Sequence, residues 1–425
     1  MNYLVYFCAL FFSFFLPISI TNLLRVYIIS ILFDEFRILD ISLTNIILTI
    51  LVLKFLFNYQ KYFKINNVSV FFILFGIVVL MTFLFNFNSV STKNFISLVL
   101  MLLSSVCISQ VVRNQKDRDA VLKSILYMSI ITSYSVIFET FLYYVFNIQL
   151  HDSLFSLMNL STDFYFSSGF FSSNGIASFH IIPGLVILLF GDKRVDKYNK
   201  LLYLILALGL ILTMTRGGIL IGIIIAIIFF FKYLQNVGRL YKYFGYTLIS
   251  ISIILAANFV VFISYFNISS IVARLYIING ALSSIKQKPI LGSGLASQVT
   301  SSETNFDLVD MNQVQESVLN DNTLRETHNT FLQIGVETVL LGLFLIILLI
   351  ISLIINQKKS LKNDKLDIKS KQYHYISFMM LSLFLISINM NSYLYLKLFW
   401  LILAAFSSIK SIGNSKITSG VYEKK

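Results

Sequence analysis

Long apolar runs, separated by short polar segments, follow one another along the whole chain. About 20 apolar residues are enough to cross a bilayer as a helix, and only 3 Pro interrupt the runs. The pattern predicts an all-α integral membrane protein, a single polytopic domain over residues 1–425 with about 11–12 transmembrane helices. The candidate spans are 3–24, 38–57, 68–86, 94–112, 121–148, 174–190, 200–215, 217–233, 243–266, 330–355, 373–391 and 393–411.

The composition agrees with a membrane protein and argues against other classes. The chain is 57% hydrophobic and 12% charged, whereas soluble domains carry about 25% charged residues. The net charge of +13 could suggest nucleic acid, but basic loops that orient helices explain it better. Cys8 and Cys107 lie in apolar runs and the 4 His are scattered. We therefore expect no disulfide, no metal site, no cofactor and no nucleic-acid partner.

The distribution of basic residues predicts the topology. If the chain starts in the cytoplasm and alternates, most Lys and Arg fall in cytoplasmic segments, so both termini are expected there. The N-terminus lacks a basic region and a cleavage site, which favours a first membrane helix over a signal peptide. The long polar loop over 267–329 is then external, and it begins with apolar residues at helical spacing. This spacing predicts an amphipathic helix near 270–286.

Arg216 is the charged side chain that most needs explaining. It is the sole charged residue between Leu201 and Phe231, and the topology places it at the external turn of a helical hairpin. It could be a snorkelling anchor that seeks lipid phosphate. Alternatively, Gly217 and Gly218 leave the first amides of the next helix accessible, so that these amides and the guanidinium together can hold a phosphate or pyrophosphate.

Other polar residues are predicted at the same membrane face. Asn174 starts the sixth span, and His328 with Asn329 starts the tenth, while Arg274 lies beside the apolar stripe of the external helix. Each has an ordinary explanation, because Asn and Ser commonly cap helices and an external arginine is commonly solvated. Their convergence on one face favours a single site.

These stretches, in this order, resemble the O-antigen polymerase and ligase superfamily of bacterial envelope proteins. The similar segments are "GFFSSNGIA" (169–177), "TMTRGG" (213–218), "RLYIINGALSSIKQKPILGSG" (274–294) and "HNTFLQIGVETVLLG" (328–342). The resemblance implies a GT-C-like, metal-independent glycosyltransferase in the bacterial inner membrane, with its site facing outside. Its donor would be an oligosaccharide on undecaprenyl pyrophosphate; membrane lipids, a chain-length regulator and a flippase are candidate partners.

The resemblance also implies roles for individual residues. Arg216 and Arg274 match arginines that hold the donor pyrophosphate, with Gly217 and Gly218 beside them, and His328 matches a histidine that acts on the acceptor hydroxyl or the leaving phosphate. Asn174, Arg325 and Asn329 are expected in supporting positions, although Arg325 also fits a rim charge.

Two branches of the superfamily remain open on the sequence alone. A polymerase transfers the glycan to another lipid-linked repeat unit for an O-antigen or capsule. A ligase transfers it to lipid A core, and a related branch transfers it to protein. The greater number and variability of polymerases favours that branch. A transporter of an anionic substrate is disfavoured, because transporters tend to have inverted repeats and helices broken at mid-membrane.

Two buried acids are left without a catalytic role. Glu337 is out of phase with His328 on a helix and is expected to be a packing or hydrogen-bonding partner inside the bundle. Glu139 is predicted to lie within the fifth span, and its sequence neighbours suggest no partner.

Overall fold

The computed structural model describes residues 18–34, 37–38, 41–63, 67–87, 89–146, 167–171, 173–191, 199–234, 268–289, 292–295, 297, 329–364, 366–388 and 393–407. Nearly all of this is α-helix, as the apolar runs predict. The helices are α1 (Ile20–Ser30), α2 (Leu43–Phe57), α3 (Tyr59–Tyr62), α4 (Asn67–Phe85), α5 (Ser89–Val111), α6 (Gln115–Phe146), α7 (Asn174–Phe190), α8 (Asn199–Leu212), α9 (Arg216–Leu234), α10 (Ile268–Gln287), α11 (Thr330–Leu361), α12 (Ile368–Ile388) and α13 (Lys397–Ala405).

A short extended segment separates α1 from α2. A 3-10 turn over Ile31–Phe33 continues α1, and strands β1 (Arg37–Ile38) and β2 (Ile41–Ser42) then pair antiparallel, with Arg37 opposite Ser42 and Ile38 opposite Ile41. The hydroxyl of Ser42 then caps α2 by accepting from the amide of Asn45 at 3.2 Å.

Successive long helices run in alternating directions, so that the bundle has two distinct ends. We call the end where α7, α9 and α11 begin the upper end, and the end where α6 and α12 begin the lower end. At the lower end, Gln372 Nε2 donates to the carbonyl of Phe190 at 3.2 Å. At the upper end, the amide of Tyr393 donates to Thr330 Oγ1 at 3.0 Å. In each contact, the beginning of one helix meets the end of another helix or the segment that follows it. This is expected when neighbouring helices run in opposite directions.

The lengths and composition of the helices fit a membrane protein. Four helices of the described part are long and apolar enough to cross a bilayer, namely Asn67–Phe85, Ser91–Val111, Gln115–Phe146 and Leu340–Leu361. Shorter apolar helices, including α2, α7 and most of α9, accompany them. Apart from the short β1–β2 pair, the described part of the chain is an all-α membrane protein. The total of twelve spans and the side of each terminus stay predictions.

The first two predicted spans have different boundaries in the structure. The second was expected over 38–57, but its helix begins at Leu43, after the β1–β2 pair. The first was expected over 3–24, and in the described part of this range a helix begins at Ile20, where the hydroxyl of Ser19 accepts from the amide of Asn22 at 3.2 Å. It then continues to Ser30. An N-capping serine starts a helix with little change in the average hydropathy, so the apolar run did not indicate this start. Residues 3–17 and the span at 243–266 lie outside the described residues.

Small residues bring the central helices close together. Helix α6 packs against α1, α7 and α8. A methyl group added at Gly184 of α7 would come within 2.5 Å of Ser129 Cβ, and one added at Gly209 of α8 within 2.7 Å of Ser133 Cβ. Such close approach is typical of membrane helices, which gain stability from packing and interhelical hydrogen bonds. Ser129 makes one of these bonds, donating to the carbonyl of His180 at 2.6 Å.

Two glycine-to-alanine substitutions test this packing. In Gly209→Ala the new methyl group would meet Ser133 Cα at 2.9 Å, which is helix backbone, whereas in Gly76→Ala its nearest neighbour would be Leu102 Cδ1 at 3.7 Å. We expect Gly209→Ala to lower the free energy of unfolding by about 1–3 kcal/mol and Gly76→Ala to leave it unchanged or raise it slightly. Thermal unfolding in detergent measures both. Equal stability of the two variants would contradict the packing described for α6 and α8.

Candidate active site

The beginnings of α7, α9 and α11 lie together at the upper end of the bundle. Asn174 Nδ2, at the start of α7, donates a hydrogen bond of 3.1 Å to the carbonyl of Thr213. Thr213 belongs to the turn that joins α8 to α9, three residues before Arg216. The sequence placed these two starts on one membrane face, and the structure joins them by a direct contact.

The turn before Arg216 is tightly built. Thr213 is fully buried, and its hydroxyl donates to the carbonyl of Leu210 at 2.7 Å and lies 3.1 Å from the hydroxyl of Thr215. Met214 adopts a left-handed conformation with φ of 50°. A non-glycine residue is uncommon in this conformation, which costs about 1–2 kcal/mol. Such strain persists only where its surroundings hold the backbone in place.

The two glycines after Arg216 differ in their surroundings. Gly218 is buried, and an added methyl group would lie 2.4 Å from Thr215 Oγ1 and 2.8 Å from Ser178 Cβ of α7. The sequence analysis explained both glycines by the approach of a ligand. For Gly218, the close packing of α9 on α7 is enough to explain why glycine is needed. Gly217 is half-buried, and the approach of a ligand remains the prediction for this residue.

A second set of contacts ties the start of α11 to α7. Asn329 caps α11, its side-chain oxygen accepting from the amide of Leu332 at 3.1 Å. The next residue, Thr330, accepts from the amide of Tyr393, and the Tyr393 ring stacks on Phe179 of α7 with centroids 4.3 Å apart. Asn329 is therefore held at the same end as Asn174. His328 directly precedes it in the chain.

For several predicted site residues, the structure does not describe the side chain. Arg216 opens α9 and Arg274 lies in α10, but their side chains, like residues Arg325 and His328 as a whole, lie outside the described residues. Helix α10, for which the sequence predicted 270–286, extends over Ile268–Gln287 and packs against α11. The convergence of the two arginines and the histidine therefore stays a prediction.

Helix α10 reaches α11 through small and apolar side chains. Ala281 and Val336 are buried against each other, with Ile285 and Leu332 around them. The turn after α10 continues this contact, because the amide of Ser293 donates to the carbonyl of Val336 at 2.8 Å. The helix that carries Arg274 is thereby attached to the helix that follows His328.

Glu337 is a hydrogen-bonding partner inside the bundle, as the sequence analysis predicted. It is buried, and its carboxylate accepts from Gln333 Nε2 at 2.9 Å and from the hydroxyl of Tyr395. Gln333 in turn accepts from the amide of Leu394 at 3.3 Å. These bonds fix the segment that precedes α13 against the first turns of α11.

Glu139 has partners that sequence reasoning missed. It is fully buried in α6, and its carboxylate accepts from the hydroxyl of Ser167 and from the amides of Ser168 and Gly169, the latter two at 2.8 and 2.6 Å. The available signals were an isolated acid in an apolar run and a Ser-Ser-Gly segment just before the start of α7. Neither signal indicates that the two meet.

A partly buried ion pair also lies at the upper end. Lys397 is 3% exposed at the start of α13, and its ammonium contacts the carboxylate of Asp34 and donates to Ser42 Oγ at 3.2 Å. Near it, Phe33 contacts Phe170 of the 167–171 segment, with ring centroids 6.0 Å apart. The partners Lys397 and Asp34 lie 363 positions apart in the chain, and the sequence gives no sign of their pairing.

Comparison with known proteins supports the resemblance drawn from the motifs. Residues 201–350 match the family model described as O-Antigen ligase. The matched region contains Arg216, Arg274 and His328, whereas the stretch around Asn174 precedes it. The match supports the O-antigen ligase and polymerase superfamily, whose members are glycosyltransferase-like enzymes, and hence a multi-pass membrane protein that acts in polysaccharide biosynthesis. No curated protein matches the chain significantly.

Substitutions at Met214 test the strain in the turn before Arg216. Glycine adopts positive φ without steric cost, so we expect Met214→Gly to raise the free energy of unfolding by up to about 1 kcal/mol. Valine, which is β-branched, should lower it. Thermal unfolding measures both changes. A destabilising Met214→Gly, with Met214→Val neutral, would be incompatible with a left-handed residue at this position.

Proposed function

We propose that this protein is a bacterial surface-polysaccharide polymerase. It transfers glycan from an undecaprenyl-pyrophosphate donor to a lipid-linked repeat unit at the outer face of the plasma membrane, for an O-antigen or a capsule. The family match over residues 201–350 carries the glycosyltransferase part of the proposal, which polymerase and ligase share, because this segment holds the two arginines and the histidine of the predicted site in the expected order. The contacts that gather the starts of α7, α9 and α11 at one end support it.

The proposed chemistry needs positive charge and a proton acceptor. An acceptor hydroxyl attacks the anomeric carbon of the donor sugar, while the bond from that carbon to the pyrophosphate oxygen breaks. Negative charge builds on the departing pyrophosphate, and fixed guanidinium groups of Arg216 and Arg274 would stabilise it in the transition state. The neutral imidazole of His328 would take the hydroxyl proton. The amides at the start of α9 would add their partial positive charge.

The alternative is a ligase, and the description of the matching family favours it directly. A ligase uses the same donor and the same leaving group, so the residues at the donor pyrophosphate would keep their roles. The two functions differ only in the acceptor. For the polymerase the acceptor is a second lipid-linked repeat unit, and for the ligase it is lipid A core.

Reconstitution distinguishes the two functions. The purified protein, placed in liposomes with a synthetic undecaprenyl-pyrophosphate repeat unit as the sole substrate, should produce a ladder of longer lipid-linked chains, read by gel or mass spectrometry. Product that forms only when lipid A core is added would establish the ligase instead. If neither acceptor gives a product, the proposed function is wrong.

Lysine substitutions test the pyrophosphate site. A guanidinium makes two parallel hydrogen bonds to a phosphate, which an ammonium cannot reproduce. In Arg216→Lys or Arg274→Lys the loss should be about 1.5–3 kcal/mol, or about 10- to 150-fold in kcat/KM.

Arg25→Lys is the matched control, because Arg25 is an exposed residue of α1, and its activity should stay at the wild-type level. A membrane anchor at Arg216 predicts the opposite pattern, with activity retained in Arg216→Lys.

A further inference from the structure

The carboxylate of Glu139 organises the segment that leads into α7. Glu139 is 0% exposed, and its oxygen Oε2 accepts the hydroxyl of Ser167 and two successive backbone amides, those of Ser168 and Gly169. A buried carboxylate is costly unless it is hydrogen-bonded. Bonds to an ionised acceptor are roughly twice as strong as neutral ones. The three donors therefore hold this segment far more firmly than an ordinary turn.

The turn around Gly169 fits closely against the helix that carries Glu139. Gly169 has φ of 61°, and a methyl group added there would lie 2.2 Å from Ser135 Oγ and 3.1 Å from the backbone nitrogen of Val136. Ser167 Oγ also lies 2.9 Å from the carbonyl oxygen of Val136. These contacts hold the segment in a fixed position against α6, and the side chain of Glu139 accepts the hydrogen bonds that attach it.

Contacts lead directly from this segment to the turn before Arg216. The ring of Phe171 stacks on His180 of α7 with centroids 4.3 Å apart. The hydroxyl of Ser173 caps α7, and the next residue, Asn174, bonds to Thr213. The attachment at Glu139 thus acts on the start of α7 at Asn174, and through Asn174 on the turn that sets the first residue of α9.

We propose that Glu139 is a positioning residue, whose carboxylate fixes the 167–171 segment and thereby the 213–215 turn and Arg216. The inference that this affects glycan transfer rests on the proposed function. The positioning itself does not, because it concerns contacts among Glu139, Gly169, Asn174 and Thr213. A residue with only a general structural role would instead lower the stability of the whole bundle, and activity would fall in proportion.

Glu139→Gln is the most informative variant. The amide keeps the size of the side chain and can still place an oxygen where Oε2 lies, but it is uncharged and its bonds are weaker. Ser167→Ala removes one donor and leaves the carboxylate in place, which keeps the test possible if larger changes prevent folding.

Gln357→Ala is the control. Gln357 is buried at the lower end, where its Nε2 donates to the carbonyl of Phe406 at 2.7 Å and its Oε1 lies 2.9 Å from His374 Nδ1.

Three measurements are made on the full-length protein in detergent or liposomes, namely thermal unfolding, amide hydrogen exchange, and kcat and KM with the lipid-linked donor. In Glu139→Gln we expect faster exchange in residues 167–177 and 213–219, with residues 357–377 unchanged. We expect kcat to fall on the order of 100-fold, as for a small displacement of a group that acts in the transition state, while KM stays near its wild-type value. Gln357→Ala should lose stability without this selective loss of kcat.

Each result decides the proposal. Selective exchange near Asn174 and Thr213, with a kcat below that of Gln357→Ala at equal thermal stability, supports it. Uniformly faster exchange, with activity that follows stability in both variants, overturns it. A wild-type protein that transfers no glycan to either acceptor refutes the proposed function, and in that case hydrogen exchange alone decides whether Glu139 positions the turn.

Discussion

The hydrogen bond from Asn174 to the carbonyl of Thr213 is the contact on which the upper end depends. It joins the first residue of α7, which is partly buried, to the turn that begins α9, in which Thr213 is fully buried. Inside a bilayer an unsatisfied amide or carbonyl costs several kcal/mol, so such groups are paired within the protein. A bond of this kind therefore fixes position more strictly than it would at the surface of a soluble domain.

The same constraint explains how charge is distributed in the bundle. The buried acids Glu139 and Glu337 accept from hydroxyls, amides and a glutamine, and Asp34 is paired with Lys397. All of these partners lie toward the upper end. At the lower end, Arg118 lies over the ring of Tyr373, its guanidinium carbon 5.0 Å from the ring centroid. The buried carboxylate of Asp117 accepts there from the hydroxyl of Thr21 at 2.9 Å. Carboxylates with hydrogen-bonding partners thus lie at both ends, with Asp34, Glu139 and Glu337 at the end where the site is expected.

Local features of the site were predictable from the sequence, whereas long-range contacts were not. The start of α11 at Asn329, the helix near 270–286 and the buried role of Glu337 follow from capping chemistry and helical spacing, which involve neighbours in the chain. The bond between Thr330 and Tyr393 joins residues 63 positions apart, and the pair of Asp34 with Lys397 joins residues 363 apart. No spacing rule reaches so far. Gly218 illustrates a different limit, because a glycine can serve close helix packing or the approach of a ligand. The sequence does not distinguish these two explanations, whereas the contact with Ser178 of α7 favours packing.

Lys397 and Arg216 occupy the same position in their helices, and the comparison bears on the ligand. Each is the first residue of a helix, where the partial positive charge of the helix end makes a cation unfavourable. For Lys397 the carboxylate of Asp34 and the hydroxyl of Ser42 offset this cost. The first turn of α9, which reads Arg-Gly-Gly-Ile, contains no acidic residue. An anionic ligand would compensate the positive charge of Arg216, as the carboxylate of Asp34 compensates that of Lys397. A diphosphate carries enough negative charge to bind both the guanidinium and the helix amides. If the donor binds as proposed, the unfavourable placement of a cation at the start of α9 would become favourable.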